Sequence, residues 1–188
     1  MIALLRNRLL TQNGKEILEL GAGYHEDFRE IVASQNNYTI SDCNLSELPR
    51  LPSSKLLIIK ADACATDFPG KSFNLVCSSM LITHIPIKEH IHEVRRLLKN
   101  DGLYWAAITG WNHNKELKAM GFDPGIDIGN TELQQMGFTI IDEEQQYREF
   151  ESKQQEIEYF RKIGCIMKDE TNLPKGLTSH FLLFELKA

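Results

Sequence analysis

Residues 17–25, ILELGAGYH, lie near the start of the chain and give the strongest indication of its fold. Its apolar residues run past Glu19 into a glycine-rich turn, which is typical of a buried parallel strand that delivers the backbone to a ligand. Gly21 and Gly23 carry no Cβ and adopt backbone dihedrals that other residues rarely reach, so a ligand can approach the main chain closely. The stretch therefore predicts a buried strand followed by a binding loop.

Four interpretations of this loop are open. A dinucleotide site requires G-x-G-x-x-G, but Glu26 occupies the third glycine position and would repel the phosphates. A Walker A loop requires G-x-x-x-x-G-K-[ST], and the residues around Gly14 and Lys15 lack both the first glycine and the hydroxyl residue. A site for S-adenosylmethionine suits the acid Glu19, because that ligand carries a sulfonium and an amino group but no phosphate. An ordinary strand-to-helix turn is the remaining interpretation.

Three further apolar stretches end in acids or small polar residues, at 37–42, 55–62 and 72–79. The first of them ends in Asp42, about twenty residues after the first strand, where an acid meets the ribose hydroxyls in doubly wound folds. Ligands of open α/β sheets bind at the carboxyl ends of the strands. The alternation of strands and helices as far as Thr109 predicts parallel strands joined by right-handed crossovers, with these side chains at one edge.

The chain resembles a class I S-adenosylmethionine-dependent methyltransferase over roughly residues 15 to 109. The segments that carry the resemblance are ILELGAGYH (17–25), YTISDCN (38–44), IIKADA (58–63), FNLVCSSMLITHI (73–85) and LLKNDGLYWAAI (97–108). The family's first motif is acid-x-Gly-x-Gly-x-Gly, and here His25 replaces the third glycine. The resemblance implies a doubly wound, mostly parallel seven-stranded α/β sheet with one antiparallel edge strand, a Rossmann-like methyltransferase fold. It also implies S-adenosyl-L-methionine as the cofactor.

The resemblance implies a cofactor site built from the ends of the first four strands. Asp42 would bind the ribose hydroxyls and Asp62 the adenine amino group. The implied cofactor-binding residues are Glu19, Gly21, Ala22, Gly23, Asp42, Cys43, Asp62, Ala63 and Ser78. His84, after the fourth strand, is a candidate substrate contact. No residue is assigned as a catalytic base, because the reaction depends on proximity and orientation, and no metal is implied.

The order of motifs after residue 109 is similar to the malonyl-acyl-carrier-protein O-methyltransferases of biotin synthesis. These motifs are TGW (109–111), ELK (116–118), ELQQMGF (132–138), FRKIGC (160–165) and GLT (176–178). That family has a longer segment than the fourteen residues that precede Lys15 here, so we expect part of the substrate lid to be absent or supplied by another chain. The resemblance implies a malonyl acyl-carrier protein as the acceptor. A methyltransferase for another small molecule and a catalytically silent cofactor-binding module are the alternatives.

Composition predicts one globular domain. The chain has 188 residues, 42% of them hydrophobic and 25% charged, with a net charge of −5, which disfavours general nucleic-acid binding. The longest apolar run, 103–108, is too short to cross a membrane. Cys43, Cys64, Cys77 and Cys165 form no C-x-x-C pair, so a reducing cytoplasm is expected. We expect residues 1–188 to form a single methyltransferase domain with a short N-terminal helix (1–12) and a C-terminal helix–strand segment (150–188); the oligomeric state stays open.

The remaining predictions concern four further secondary-structure elements and the polar residues expected on the surface. The spacing of apolar residues predicts a helix over 86–100, a strand at 138–142, a helix at 153–163 and a last strand at 180–186. His90 and His92 are expected on a solvated helix face. An acyl-carrier protein is acidic, so the candidate docking residues are basic: Arg95, Arg96 and Lys99 on one helix, and Arg161 and Lys162 on another.

Overall fold

The computed structural model describes residues 2–23, 26–46, 56–110, 130–152, 154–155, 157–158 and 176–188. Within these ranges the helices are α1 (Ala3–Leu9), α2 (Phe28–Gln35), α3 (Ile87–Leu97) and α4 (Asn130–Gln135). The strands are β1 (Glu16–Leu20), β2 (Asn37–Asp42), β3 (Leu56–Lys60), β4 (Phe73–Ser79), β5 (Leu98–Thr109), β6 (Thr139–Glu149) and β7 (Gly176–Lys187). None of the described helices is long and apolar enough to span a membrane.

The described strands form one seven-stranded sheet in the order β3-β2-β1-β4-β5-β7-β6. The pairs from β3 to β5 are parallel, whereas β7 runs antiparallel to both of its neighbours. The predicted fold class, a mostly parallel seven-stranded sheet with an antiparallel edge, is confirmed. The reversed strand is β7, and the edge strand that pairs with it is β6.

The order of strands reverses between β1 and β4, and this position determines where a ligand can bind. The register aligns Leu20 at the end of β1 with Ser41 of β2 on one side and with Ser78 of β4 on the other. The chain continues from β1 to β2 on one side and from β4 to β5 on the other, so a crevice opens between the loops that follow β1 and β4. The glycine loop after β1 lies at this crevice.

Each face of the sheet has its own apolar core, because successive strand residues point to opposite sides. Leu18 belongs to the core that includes α3, and Ile17 to the core that includes α1 and α2. A strand buried on both faces must be apolar throughout. This explains why β1, after Glu16 at its start, is apolar except for Glu19.

The bounds of α3, β6 and β7 differ from the predictions, and α1 and β3 are shorter than the predicted 1–12 and 55–62. Helix α3 ends at Leu97, not at residue 100, because Leu98 already has extended backbone and pairs with Phe73 of β4. Strands β6 and β7 are longer than the predicted 138–142 and 180–186, since they pair antiparallel from Thr139 to Glu149. Residues 111–129 and most of the helix predicted at 153–163 lie outside the described residues.

Candidate active site

The glycine loop after β1 has the backbone conformation that its sequence predicts. Gly21 and Gly23 have φ values of 67° and 58°, a region that favours glycine. A Cβ on Gly21 would lie 2.7 Å from Leu81 Cδ1, whereas a Cβ on Gly23 would meet no atom within 4 Å. The side chain of Leu81 therefore packs against the loop at Gly21, whereas at Gly23 there is open space in which a ligand could approach the main chain.

The end of β2 holds this loop from one side. The amide of Ala22 donates to the Ser41 carbonyl at 3.0 Å, and the amide of Gly23 donates to Asp42 Oδ2 at 2.8 Å. Asp42 Oδ1 accepts from the amide of Asn44 at 2.9 Å. A carboxylate oxygen accepts more than one hydrogen bond, so half-buried Asp42 still has lone pairs for the hydroxyls of a ribose. The proposed ribose contact therefore fits this position.

Glu19 of β1 is surrounded by hydrogen-bond donors from other elements. Its side chain is 1% exposed, and its two oxygens accept hydrogen bonds from Arg29 Nε at 2.9 Å and Arg29 Nη2 at 2.6 Å. The hydroxyl of Tyr38 donates to the same carboxylate. Burial, and then the charge of Glu19, raise the pKa of Tyr38, which keeps this hydroxyl a donor. The carboxylate is thus enclosed by protein, and its predicted direct contact with the cofactor stays a prediction.

Arg29 connects this buried carboxylate to the glycine loop. Its Nη2 also donates to the carbonyl of Ala22 at 2.7 Å. Burial opposes the charge, but Glu19 outweighs it and raises the pKa of Arg29. Arg29 is not among the predicted site residues, although it lies three and four residues before the buried Val32 and Ala33 of α2. An arginine on the apolar face of a helix is a signal for a buried ionic partner.

The end of β3 carries the residues assigned to the adenine. Asp62 is exposed, and its Oδ1 accepts from the amide of Cys64 at 2.8 Å. Cys64 is half-buried, and burial followed by the charge of Asp62 raises the pKa of its thiol, so it suits a pocket filler and not a nucleophile. Cys43, after Asp42, is exposed and free. Both acids thus lie at the carboxyl edge that the sequence predicts.

A buried hydrogen-bonded chain joins the ends of β3 and β4 through α3. His90 Nδ1 lies 2.8 Å from the Ala63 carbonyl, His90 Nε2 lies 2.8 Å from the Tyr104 hydroxyl, and that hydroxyl lies 2.6 Å from Ser78 Oγ. A carbonyl only accepts, so Nδ1 carries the proton and the neutral Nε2 accepts from Tyr104, which in turn accepts from Ser78. Burial lowers the pKa of His90, in agreement with the neutral form.

This chain corrects one prediction and refines another. His90 is 0% exposed, so its predicted place on a solvated face is wrong, whereas His92 is exposed as predicted. Ser78 is buried with its hydroxyl bonded to Tyr104. Only its backbone could therefore line the pocket, which is the role that the resemblance implies for both Ser78 and Ala63.

The loop between β4 and α3 closes the site on the other side of the crevice. Met80, directly after β4, has a φ of 61° although it is not glycine, and its amide donates to the Ala107 carbonyl at 2.8 Å. The next residue, Leu81, packs on Gly21 as described above. His84 is exposed at the end of this loop, where it could meet a substrate, and its role stays a prediction.

A histidine–glutamate pair from the last two strands lies at the same edge. Phe181 of β7 is in register with Thr109 at the carboxyl end of β5, and the neighbouring His180 Nε2 is 2.7 Å from Glu143 Oε1. His180 Nδ1 is buried and has no hydrogen-bond partner among the described residues. The sequence gives no local signal for this pair, because 37 residues separate its members.

The basic residues predicted to dock a carrier protein do not share one surface. Arg96 donates to Glu93 Oε2 at 2.7 Å and to the Phe68 carbonyl at 2.8 Å, so it is committed within the protein. Lys99 bonds to Asn74 Oδ1 at 3.1 Å at the start of β4. Arg95 is exposed. The other candidates Arg161 and Lys162 lie outside the described residues, as do His25 and Cys165.

Comparison with known proteins agrees with this geometry. Residues 18–106 match the family model described as a methyltransferase domain. No curated protein matches the sequence. The chain is similar in structure to the YcgJ protein of Bacillus subtilis, with a TM-score of 0.69 and 14% identity over 97% of this chain and 95% of that one.

Two further solved structures extend the likeness. An S-adenosylmethionine-dependent methyltransferase of Mesorhizobium loti gives a TM-score of 0.58 at 18% identity, covering 98% of this chain and 96% of that one. Phosphoethanolamine N-methyltransferase 2 of Haemonchus contortus, solved with S-adenosyl-L-methionine, gives 0.62 at 13% identity, covering 97% of this chain and 52% of that one.

The matched segment spans the strands and loops that build the crevice, from β1 to β5. The open space at Gly23, Asp42 at the end of β2 and Asp62 after β3 fit S-adenosylmethionine, which needs close approach to the backbone and partners for its hydroxyls but no phosphate site. Residues 18–106 therefore match a methyltransferase domain, the chain has the fold of the solved methyltransferases above, and S-adenosyl-L-methionine is the cofactor that these findings support.

Proposed function

We propose that this chain is a class I S-adenosylmethionine-dependent methyltransferase that transfers the cofactor's methyl group to the free carboxylate of a malonyl thioester held on an acyl-carrier protein, in the synthesis of the biotin precursor. The order of the motifs after residue 109 supports this acceptor. The single structural observation that favours this acceptor is a basic face on α3, which suits an acidic carrier. Helix α3 begins close to the carboxyl edge of the sheet, where the cofactor would bind.

The chemistry asks little of the protein beyond positioning. When bound, the cofactor supplies a methyl group on a positively charged sulfur, which a nucleophile displaces in line. A malonyl carboxylate is already ionised at neutral pH, so no side chain has to remove a proton. The tasks left to the loops after β1 and β4 are to orient the two reactants and to exclude water. The candidate site contains a rigidly held loop and suits those tasks.

The basic face is formed by Lys88, His92 and Arg95, which lie four and three residues apart on α3 and therefore share one side of the helix. They line a groove of about 310 Å³ between α3 and α4, whose apolar part includes Ile91 and Met136. Lys88 is in the first turn of α3, four residues after His84. A carrier docked along this face could place its thioester at the carboxyl edge of the sheet.

Intact-mass analysis of malonyl-acyl-carrier protein incubated with the enzyme and S-adenosylmethionine tests the acceptor. We expect an enzyme-dependent gain of one methyl on the malonyl carrier and none on an acetyl carrier. No gain from protein that still binds S-adenosylhomocysteine would discard this acceptor. Failure to bind S-adenosylhomocysteine at all would instead favour a catalytically silent module.

Charge reversal tests the docking face. Lys88→Glu with Arg95→Glu should raise the KM for the carrier by about tenfold at low salt, because rim charges steer association, and less so at high salt. Lys187→Glu, an exposed lysine at the end of β7, is the control with the same kind of charge change. Equal KM values for the two variants at low salt would refute the assignment.

A second acceptor class has one observation in its favour. In the His180–Glu143 pair a carboxylate orients an imidazole, as in a general base, and an amine or hydroxyl acceptor would need such a base. The free nitrogen, Nδ1, is buried beside Gly110, so this function requires that nitrogen to become exposed. The Haemonchus contortus protein is an N-methyltransferase for phosphoethanolamine. If His180→Gln abolished methylation of a small amine or alcohol while leaving S-adenosylhomocysteine binding intact, this second function would be preferred over the first.

A further inference from the structure

A cavity of about 520 Å³ lies at the amino edge of the sheet, opposite to the glycine loop. Its wall is formed where β1, β4 and β5 begin. Three lysines line it: Lys15 before β1, Lys71 before β4 and Lys99 at the start of β5. Leu75, Leu103 and Trp105 supply an apolar part. The volume is in the range of clefts that bind small molecules.

The charges in this cavity are not balanced by the protein. Among the described residues, neither Lys15 nor Lys71 has an ion-pair partner, and Lys99 bonds to a neutral acceptor, Asn74. Asp101 is the acidic residue in the lining. The chain as a whole carries a net charge of −5, so its composition does not explain a positive cleft. Clefts lined by one sign of charge attract ions of the other sign.

The backbone at Lys71 gives a second, independent observation. Its φ is 57°, in the left-handed region that costs energy for any residue with a Cβ and that lysine has no side-chain group to favour. Its amide donates to the Arg96 carbonyl at 2.9 Å, which holds this conformation. Glycine would satisfy the backbone here without strain, so the fold alone gives no reason for a lysine. Strain of this kind accumulates where a side chain has a function.

We propose that the cavity where Lys15, Lys71 and Lys99 face an apolar wall is a binding site for a small organic polyanion, a molecule with two or more phosphate or carboxylate charges on an apolar body. The site is separate from the cofactor edge, so its ligand binds with S-adenosylmethionine present or absent. The lysines neutralise the anion, and Trp105 with the two leucines covers its apolar part.

Trp105 makes the test direct, because it lines the cavity and the chain has only one other tryptophan, Trp111. In a Trp111→Phe background, fluorescence reports titration with citrate as the polycarboxylate probe and ADP as the phosphate probe, against sodium chloride at equal ionic strength. We expect saturable binding of at least one probe, and the better probe identifies the charged group. Lack of saturable binding of both would overturn the proposal.

Substitutions locate the binding. Lys15→Gln with Lys71→Gln should weaken the affinity by about tenfold or more, while Lys60→Gln, an exposed lysine at the opposite edge of the sheet, should leave it unchanged. Lys71→Gly should also weaken binding without lowering the melting temperature, because it removes the charge and relieves the backbone strain. Unchanged affinity in the double variant would contradict the proposal.

Discussion

Removing the guanidinium of Arg29 should destabilise the protein and loosen the glycine loop. Arg29→Met leaves the Glu19 carboxylate buried, with Tyr38 as its remaining donor among the hydrogen bonds described, and also removes the donor to the Ala22 carbonyl. Breaking a fully buried ion pair by deleting one partner costs about 3–5 kcal/mol. For a protein of this size, about 2–4 °C of melting temperature accompanies each kcal/mol, so we expect a fall of roughly 6–20 °C.

A double-mutant cycle separates the ion pair from mere loss of packing. Glu19→Gln alone should cost about as much as Arg29→Met, because it leaves a buried cation without its carboxylate. Once one charge is gone, removing the other carries little further penalty. The double variant should therefore be more stable than the sum of the single effects predicts, by about 3 kcal/mol.

Urea denaturation followed by circular dichroism measures the free energies of unfolding of the three variants. Calorimetry measures their affinity for S-adenosylhomocysteine, which depends on the conformation of the glycine loop. We expect weaker binding by folded Arg29→Met than by the parent protein, because the Ala22 carbonyl is no longer held. Single effects that add within about 0.5 kcal/mol would refute a coupled buried pair. A small loss in Arg29→Met together with unchanged affinity would refute the role of Arg29 in supporting the loop.

Gly23→Ala and Gly14→Ala should each cost about 1 kcal/mol, because both glycines have left-handed φ values and open space where the new methyl group would lie. Only Gly23→Ala should weaken cofactor binding, since Gly14 lies at the other end of β1; equal calorimetric affinities would contradict the placement of the cofactor. Burial opposes ionisation of Glu93, but hydrogen bonds from Arg96 and Thr66 outweigh it and lower its pKa to about 2. Because its pKa is depressed, ionised Glu93 stabilises the fold by about 3 kcal/mol above pH ~4.5, and this stabilisation is lost as the pH falls toward 2. Between pH 5 and 3 the free energy of unfolding should therefore fall more steeply for the parent than for Glu93→Gln. Parallel pH dependences would contradict a stabilising role for ionised Glu93.

The parts of the fold that the sequence predicts well are those with local signals. β2 begins and ends where its apolar pattern does, and β1 and β4 read as apolar runs because both of their faces are buried. The acids Asp42 and Asp62 could be placed at one edge because parallel strands repeat the same topology. The end of α3 was less predictable, since Leu98 is apolar in a helix and in a strand alike, and pairing with Phe73 decides which forms.

The roles of individual side chains were harder to predict, because they depend on distant partners. Glu19 fits the cofactor motif in sequence, yet its partners Arg29 and Tyr38 lie 10 and 19 residues away and enclose it. His90 was predicted on a solvated helix face because it is polar, but in the core the Ala63 carbonyl and the Tyr104 hydroxyl form hydrogen bonds with its two nitrogens. A buried polar group is stable only when such partners are present, and the sequence does not reveal them.

The order of strands and helices as far as β5, and the glycine loop with its acids, could be predicted from the sequence. These follow from hydrophobic periodicity and from residues that act through their own backbone, as Gly23 does. The contacts of Glu19 with Arg29 beneath the loop, and the cavity that Lys15, Lys71 and Lys99 line together, appear only in the folded chain. Burial and charge balance depend on pairs of residues that are distant in the chain, and the folding of the sheet brings those pairs together.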